Sequence, residues 1–534
     1  MMQVTYVLLG LLGLNLLTAC TDSKSSDSAA TVSMNLTPIA RIAALYGNKS
    51  LGSAVAASID GRVVAIGAKA STFSCEESDA PKMVTVGGSC NETANVIGGV
   101  HVYHVDGDDT TGFVIKPFKQ DASFEFGADV SVSDDGQWLA IGSPQDSMRH
   151  ASDATKCAGS MTATVATADC TSTVTTTTAM GYQAGAVYIF KYSDDDKTWE
   201  LKHYVKPLHA HTTPFINYQF GRTVALTSDA SGVIVGVPTD KSSEVTNLQV
   251  EPTLSSLQSL ERGSTFHYSL SDAELKFYFY HQSSVMNSEH SGKILHTVNN
   301  ADLVAVAGDS RWFLAKHNSK NSELDLSSLS LPAEAVVSDM AQSSDILVLG
   351  LDKMKSDCNG IKSGDEVANC YNANGAVSEA GAVLIYTLPI SSDGPMSFMT
   401  LEQPIPNAHF GRSVMVSQDS QFIWVGANDN HGCIGTFDTI DACKAEGATD
   451  LMASGAVYQY KKSGDTWVLD KFMKAAKVEA NGNFGGSNQL LQRGNLFYFG
   501  YDRSDLCTAY TANIEDVCIT ITNLPPFHYE VRSN

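Results

Sequence analysis

Short runs of apolar residues, broken by polar turns, recur along most of the chain. They read FGADVSVSDDGQWLAIGSP from Phe126, FGRTVALTSDASGVIVGVP from Phe220 and FGRSVMVSQDSQFIWVGAN from Phe410. LGSAVAASIDGRVVAIGAK from Leu51 and FGGSNQLLQRGNLFYFGYD from Phe484 follow the same plan. Each unit has a glycine after an apolar residue, a run of β-formers, a polar turn and a second apolar run ending at glycine. With turn dipeptides such as Asp60-Gly61 and Asp135-Gly136, this pattern predicts a β-hairpin. After a loop of variable length a third strand follows: GGVHVYHV from Gly98, GAVYIFKY from Gly185, GSTFHYSL from Gly263, GAVLIYTL from Gly381 and GAVYQYKK from Gly455. A fourth comes after another polar turn, as in TWELKHYVKP from Thr198 and TWVLDKFMKA from Thr466.

Two weaker units complete the series. One begins at Ser291 (SGKILHTVNNADLVAVAGD), with 311–317 as its third strand; the other begins at Ala333 (AEAVVSDMAQSSDILVLGLD). Neither carries the Phe-Gly pair. The units lie near 46–120, 121–211, 212–284, 285–332, 333–404, 405–478 and 479–534, within one domain spanning 35–534. Four strands repeated about every 70 residues predict an all-β fold, a seven-bladed β-propeller of four-stranded blades. A ring must close, because an open one exposes strand edges. Asn35–Leu45 reads as the outer strand of the last blade, and Phe527–Val531 is the alternative.

These units resemble FG-GAP repeats, the blades of the integrin α-subunit propeller and of many bacterial surface proteins. The matching marks are Phe126-Gly127, Phe220-Gly221, Phe410-Gly411 and Phe484-Gly485. Gly142-Ser143-Pro144 and Gly236-Val237-Pro238 match the second half of the motif. The resemblance covers nearly all of Asn35–Asn534, and the long loops that such a propeller presents from one rim point to a binding or adhesion module.

The first residues differ in kind from the repeats and read as an export signal. Tyr6–Leu17 is a mostly apolar run that ends in Leu17-Thr18-Ala19-Cys20. It is too short to span a bilayer comfortably. The ending resembles the lipobox of bacterial lipoproteins, in which the cysteine is lipidated after cleavage. No Lys or Arg precedes Cys20, a departure from the usual signal. The reading is a signal peptide over 1–19, a lipid on Cys20 and a polar tether over 20–34. By the same resemblance, Thr21 points to the outer membrane, with the domain facing the periplasm or the cell surface.

Cysteine usage agrees with export. There are 11 cysteines, and setting Cys20 apart leaves ten in close neighbours. Cys75/Cys90, Cys157/Cys170, Cys358/Cys370, Cys433/Cys443 and Cys507/Cys518 are 15, 13, 12, 10 and 11 residues apart. An even number in an exported chain predicts five local disulfides, all in loops between second and third strands or their equivalents. Zinc is a poor rival, since no C-x-x-C occurs.

Charge excludes some partners. With 58 acidic against 35 basic residues, the net charge is -23. Such a surface repels phosphate, so nucleic acid is not an expected partner. The expected partners are the membrane, through the lipid, and a protein or glycan ligand. The turns SIDGR, SDDGQ, TSDASG and SQDSQ have too few oxygens for the calcium loops of integrin propellers. No cofactor is expected, and calcium is the one candidate that the resemblance leaves open. No catalytic set stands out. Gly308-Asp309-Ser310 lacks the strand-turn-helix setting of an esterase nucleophile, and His209 and His211 lie in a linker. Arg222 and Arg412, each just after a Phe-Gly pair, are the only repeated charges at the mouth of the ring. Tyr188, Tyr458, Trp424 and Trp467 are expected in the core. The alternatives to a binding module are a scaffold subunit of an envelope complex and a hydrolase or lyase with its site in the central channel.

Overall fold

The computed structural model describes Thr37–Ile42 and, with breaks, residues 51–500 and 519–523. The longest internal breaks are 241–262 and 317–335. The signal, Cys20, the tether, Cys507 and Cys518 lie outside the described residues.

Antiparallel sheets account for nearly all of the regular structure among the described residues. Sheet one contains, in bonded order, Leu51–Ala57, Val63–Ala68, Val100–Asp106, Asp109–Ile115 and Met83–Thr85. Sheet two contains Asp129–Val132, Trp138–Ser143, Ala186–Ser193, Thr198–Lys206 and Gly159–Thr162. Sheet three has Thr223–Leu226, Gly232–Val237, Ser264–Leu270 and Leu275–Gln282, and sheet four Ile294–Thr297, Leu303–Ala307 and Trp312–Lys316. Sheet five has Asp339–Gln342, Ile346–Leu351, Ala382–Thr387, Ser397–Met399 and Ile361–Ser363. Sheet six has Ser413–Val416, Phe422–Ala427, Ala456–Ser463, Thr466–Lys474 and Gly435–Phe437. Sheet seven joins Leu490–Arg493, Leu496–Gly500, Ile519–Asn523 and, from the other end of the chain, Thr37–Ile42. The first strand of each sheet neighbours the first strand of the next, and that of sheet seven neighbours that of sheet one. This is β-propeller architecture. The closing strand is N-terminal, with Thr37 opposite Asn523 and Ile42 opposite Ile519.

The expectation of four strands per blade needs correction. Sheets one, two, five and six each gain a fifth strand, and sheet four shows three among the described residues. The fifth strand comes from the loop between strands two and three, which crosses over to pair with the outer edge of strand four. An exposed edge invites pairing with other chains, and these segments cover it. The Cys157–Cys170, Cys358–Cys370 and Cys433–Cys443 disulfides are formed in three of these loops. Cys75 and Cys90 face each other in register across a two-stranded ladder, their side chains outside the described residues. Three of the five expected disulfides are therefore described.

The Phe-Gly motif has a geometric cause. Phe126, Phe220, Phe410 and Phe484 each form a parallel bridge with a glycine opening the third strand of the preceding sheet: Gly98, Gly185, Gly381 and Gly455. Backbones meet too closely there for a side chain. A Cβ on Gly185 would fall 2.1 Å from the Phe220 carbonyl oxygen, and one on Gly142 2.1 Å from that of Gly221. Gly221 itself has φ of 82°, a left-handed conformation that suits glycine. The Phe rings turn into their own sheets: Phe126 lies edge-on to Tyr188 at 5.0 Å, Phe220 to Phe266 at 5.2 Å and Phe410 to Tyr458 at 5.6 Å. Tyr188, Tyr458, Trp424 and Trp467 are all buried, as core residues.

The hairpin turns use their acids locally. Ser133 donates to Asp135, whose carboxylate accepts the Gln137 N–H, while Ser133 accepts the Trp138 N–H. Ser58/Asp60, Thr227/Asp229 and Ser417/Asp419 repeat the arrangement. These carboxylates cap turns.

Candidate functional site

The loops between strands two and three carry the disulfides and fifth strands, and the roots of those in sheets two and six hold buried charge pairs. In sheet two the variable loop carries the short helix Ala163–Asp169. Thr162 caps it by accepting the Val165 N–H, and Ala166 is buried beneath it. Sheet six has a comparable helix, Ile440–Ala445. Large apolar side chains stay exposed on these loops: Val165 on the first, Ile434 and Met452 on the second.

Beneath the sheet-two loop sits Asp146, fully buried. Its carboxylate accepts from Tyr188 at 2.7 Å, Tyr204 at 3.1 Å, Lys206 at 2.8 Å and the Met148 N–H at 2.8 Å. Its carbonyl accepts the Gly185 N–H, so the two ends of the loop are tied together. Burial pulls Lys206 down from the ordinary lysine range, and Asp146 opposes that pull. Burial and then the Asp146 charge push both tyrosines well up, so they remain neutral donors.

The same four positions recur, located by strand register and by the glycine N–H. In sheet six they are Asp429, Tyr458, Phe472 and Lys474. Lys474 donates to Asp429 at 2.9 Å, to Ser454 at 2.7 Å and to the Gly455 carbonyl. Burial alone would raise Asp429, but the hydrogen bond from His431 and the charge of Lys474 hold it below the ordinary carboxylate range. Sheet one has Ser71, His101, Val114 and Lys116. Sheet five has Met354, Leu384, Phe398 and Thr400. No pattern search on single residues finds this set. The signal was present, however, in the repeated strand endings Ile115-Lys116-Pro117, Val205-Lys206-Pro207 and Met473-Lys474-Ala475.

Near the ring's inner wall, Asp129 and Asp339 occupy equivalent places. Asp129 accepts from its own neighbour Val130 and from Val224 in the next sheet; Asp339 does so from Met340 and Val414. Burial pushes both carboxyls up to about 7 against those hydrogen bonds. They stitch adjacent first strands. Arg222 pairs with Glu125 of the preceding sheet at 3.6 Å. Arg412 donates to Asn428 and, at 3.3 Å, to Asn483 of the next. The structure thus sets the two arginines at separate sheet boundaries, each engaged with its own neighbours. Among the described residues, no three His, Cys, Asp or Glu side chains gather to hold a metal, and no helix is long and apolar enough to cross a membrane. Gly308-Asp309-Ser310, His209 and His211 lie outside the described residues.

No protein-family model and no curated protein matches the chain. Among solved structures, it is similar to the Dos1 propeller at 9% identity and a TM-score of 0.38, over 88% of this chain and 82% of that one. The WD40 domain of SCAP from fission yeast is similar at 12% identity and 0.40, over 92% and 94%. A prolyl endopeptidase is similar at 11% identity and 0.37, over 85% of this chain and 47% of its own length.

Proposed function

We propose that this chain is an exported, lipid-anchored binding module, a seven-bladed propeller of the FG-GAP kind that presents stapled loops to a protein or glycan. One observation carries the reading. The loops of sheets two and six are each held three ways: by a disulfide, by strand pairing to the blade edge and by a buried Lys–Asp root. Holding a loop in advance lowers the entropy lost on binding, and Val165, Ile434 and Met452 stay exposed on loops so held. The acids nearest a channel site, Asp129 and Asp339, are taken up by backbone N–H groups, which favours binding over catalysis. In this reading Cys20 carries the lipid, 20–34 is the tether and the outer membrane is the location.

Deleting a loop would also strip a blade edge, so the test uses surface changes. Val165→Lys, Ile434→Lys and Met452→Lys are compared with the parent for binding to arrayed glycans and to cell-surface fractions. Loss of binding with melting unchanged supports the module; binding untouched by all three overturns it. Protease added to intact cells, with a periplasmic protein as control, tests the location. Selective loss places the domain outside, and protection until the outer membrane is opened places it in the periplasm.

A further inference from the structure

The root in sheet one differs from its counterparts in what surrounds the lysine. Lys116 follows Ile115, the partner of Val100, just as Lys206 follows Val205 and Lys474 follows Met473. Ser71 stands in the acid's place, since its carbonyl accepts the Gly98 N–H as that of Asp146 accepts the Gly185 N–H. The lysine is kept and the carboxylate is gone. Lys116 is 2% exposed. Its amine donates to Ser71 Oγ at 2.9 Å and to the Gly98 carbonyl at 2.7 Å. Two acceptors suit the two N–H bonds of a neutral amine, whereas Lys474 has three, one of them a carboxylate. The amine is closely enclosed: a Cβ on Gly99 would lie 3.1 Å from Nζ. Ala186 and Ala456 occupy that place in the other two sheets. His101, in the tyrosine's position, is the titratable side chain that feels the Lys116 charge. Burial, and then Lys116, push His101 down to about 3, so it stays neutral and adds no second positive charge.

We propose that this root is a proton-sensitive tie: the neutral Lys116 amine joins Ser71, after the second strand, to Gly98, before the third, and taking up a proton loosens that junction. The junction also bears on the neighbouring sheet, because Gly98 forms the bridge with Phe126 and the Gly99 N–H donates to the Phe126 carbonyl. Burial draws Lys116 down to about 7 from 10.5. A lowered lysine favours the closed form fully above its ordinary value, and that gain is lost as pH falls toward 7. Between pH 7 and 10 the junction therefore tightens by up to about tenfold per pH unit. Nothing in this depends on what the loops bind.

Hydrogen exchange on the purified domain tests it, read at Ala68–Ser71 and Gly98–Val100 from pH 7 to 9.5 and corrected for intrinsic rates. Protection should rise with pH at these peptides, and rise less at Asp146 and Gly185 in sheet two, where the Asp146 charge opposes the fall of Lys206. Ser71→Asp should give high protection already at pH 7 and remove the slope, and Lys116→Met should remove the slope as well. A flat profile in the parent overturns the tie, and so does a slope that survives in a folded Lys116→Met. Should either variant fail to fold, the parent profile decides alone.

Discussion

In sheet two, the residue that receives the Gly185 N–H is Asp146, set against Tyr188, Tyr204 and Lys206. In sheet five, the residue that receives the Gly381 N–H is Met354, set against Leu384, Phe398 and Thr400. All four positions have changed together, while the disulfide and the fifth strand above them have stayed. Burying a charge pair gains little net stability over an apolar packing, whereas half of such a pair is costly. The polar and apolar sets are each self-consistent. Mixtures are penalised, and sheet one, with Lys116 and no acid, has the mixed form.

The largest effect should come from breaking the polar set in one place. Asp146→Ala strands Lys206 and two tyrosine hydroxyls, and should cost about 3–5 kcal/mol in denaturant unfolding. A cost below about 1 kcal/mol would mean that water already shares the root. Next come the staples. Cys157→Ser with Cys170→Ser, and Cys358→Ser with Cys370→Ser, should each cost about 3 kcal/mol, since the closed loops are nearly equal in length. A clear inequality would show that root chemistry and staple are coupled.

A pH effect follows from a feature the two sheets share. Asp129 and Asp339 are raised to about 7 from 3.8. A raised carboxyl contributes stability that is complete below about pH 4 and is lost as pH rises through about 7. Asp129→Asn and Asp339→Asn should therefore each flatten the stability profile between those values, measured by thermal melting across buffers. An unchanged slope would assign the titration to other groups. The smallest effect is also the sharpest test. Asp146→Met, Tyr188→Leu, Tyr204→Phe and Lys206→Thr together install the sheet-five set in sheet two. This variant should unfold within about 1–2 kcal/mol of the parent, far closer than Asp146→Ala alone.

Hairpins and third strands were legible because Phe220–Val237 and Gly263–Leu270 repeat their spacing with glycines that no other residue can replace. Thr37–Ile42 was legible as a closing strand because an open ring would leave a strand edge exposed. The fifth strands were not. Met83–Thr85 and Ile361–Ser363 are three residues each, too short for periodicity, and they are strands only because an unpaired edge lies beside them. The lysine–acid roots were hidden for a related reason. Asp146 and Lys206 are separated by the whole variable loop and a hairpin, so neither residue predicts the other until the sheet brings them within 2.8 Å. Arg222 and Arg412 attracted notice by repetition alone, and their contacts hold neighbouring sheets together.

The seam formed by Thr37–Ile42 also has a mechanical meaning. The strand that shuts the ring is the first part of the fold that a pull from the N terminus would reach. In the proposed reading, tension from a lipid anchor on Cys20 would enter the fold at the Thr37–Asn523 rung, beside the irregular step between Pro38 and Ala40. In that reading, drag on a captured partner would be borne at both ends of one load path, by the stapled loops and by this single zipper.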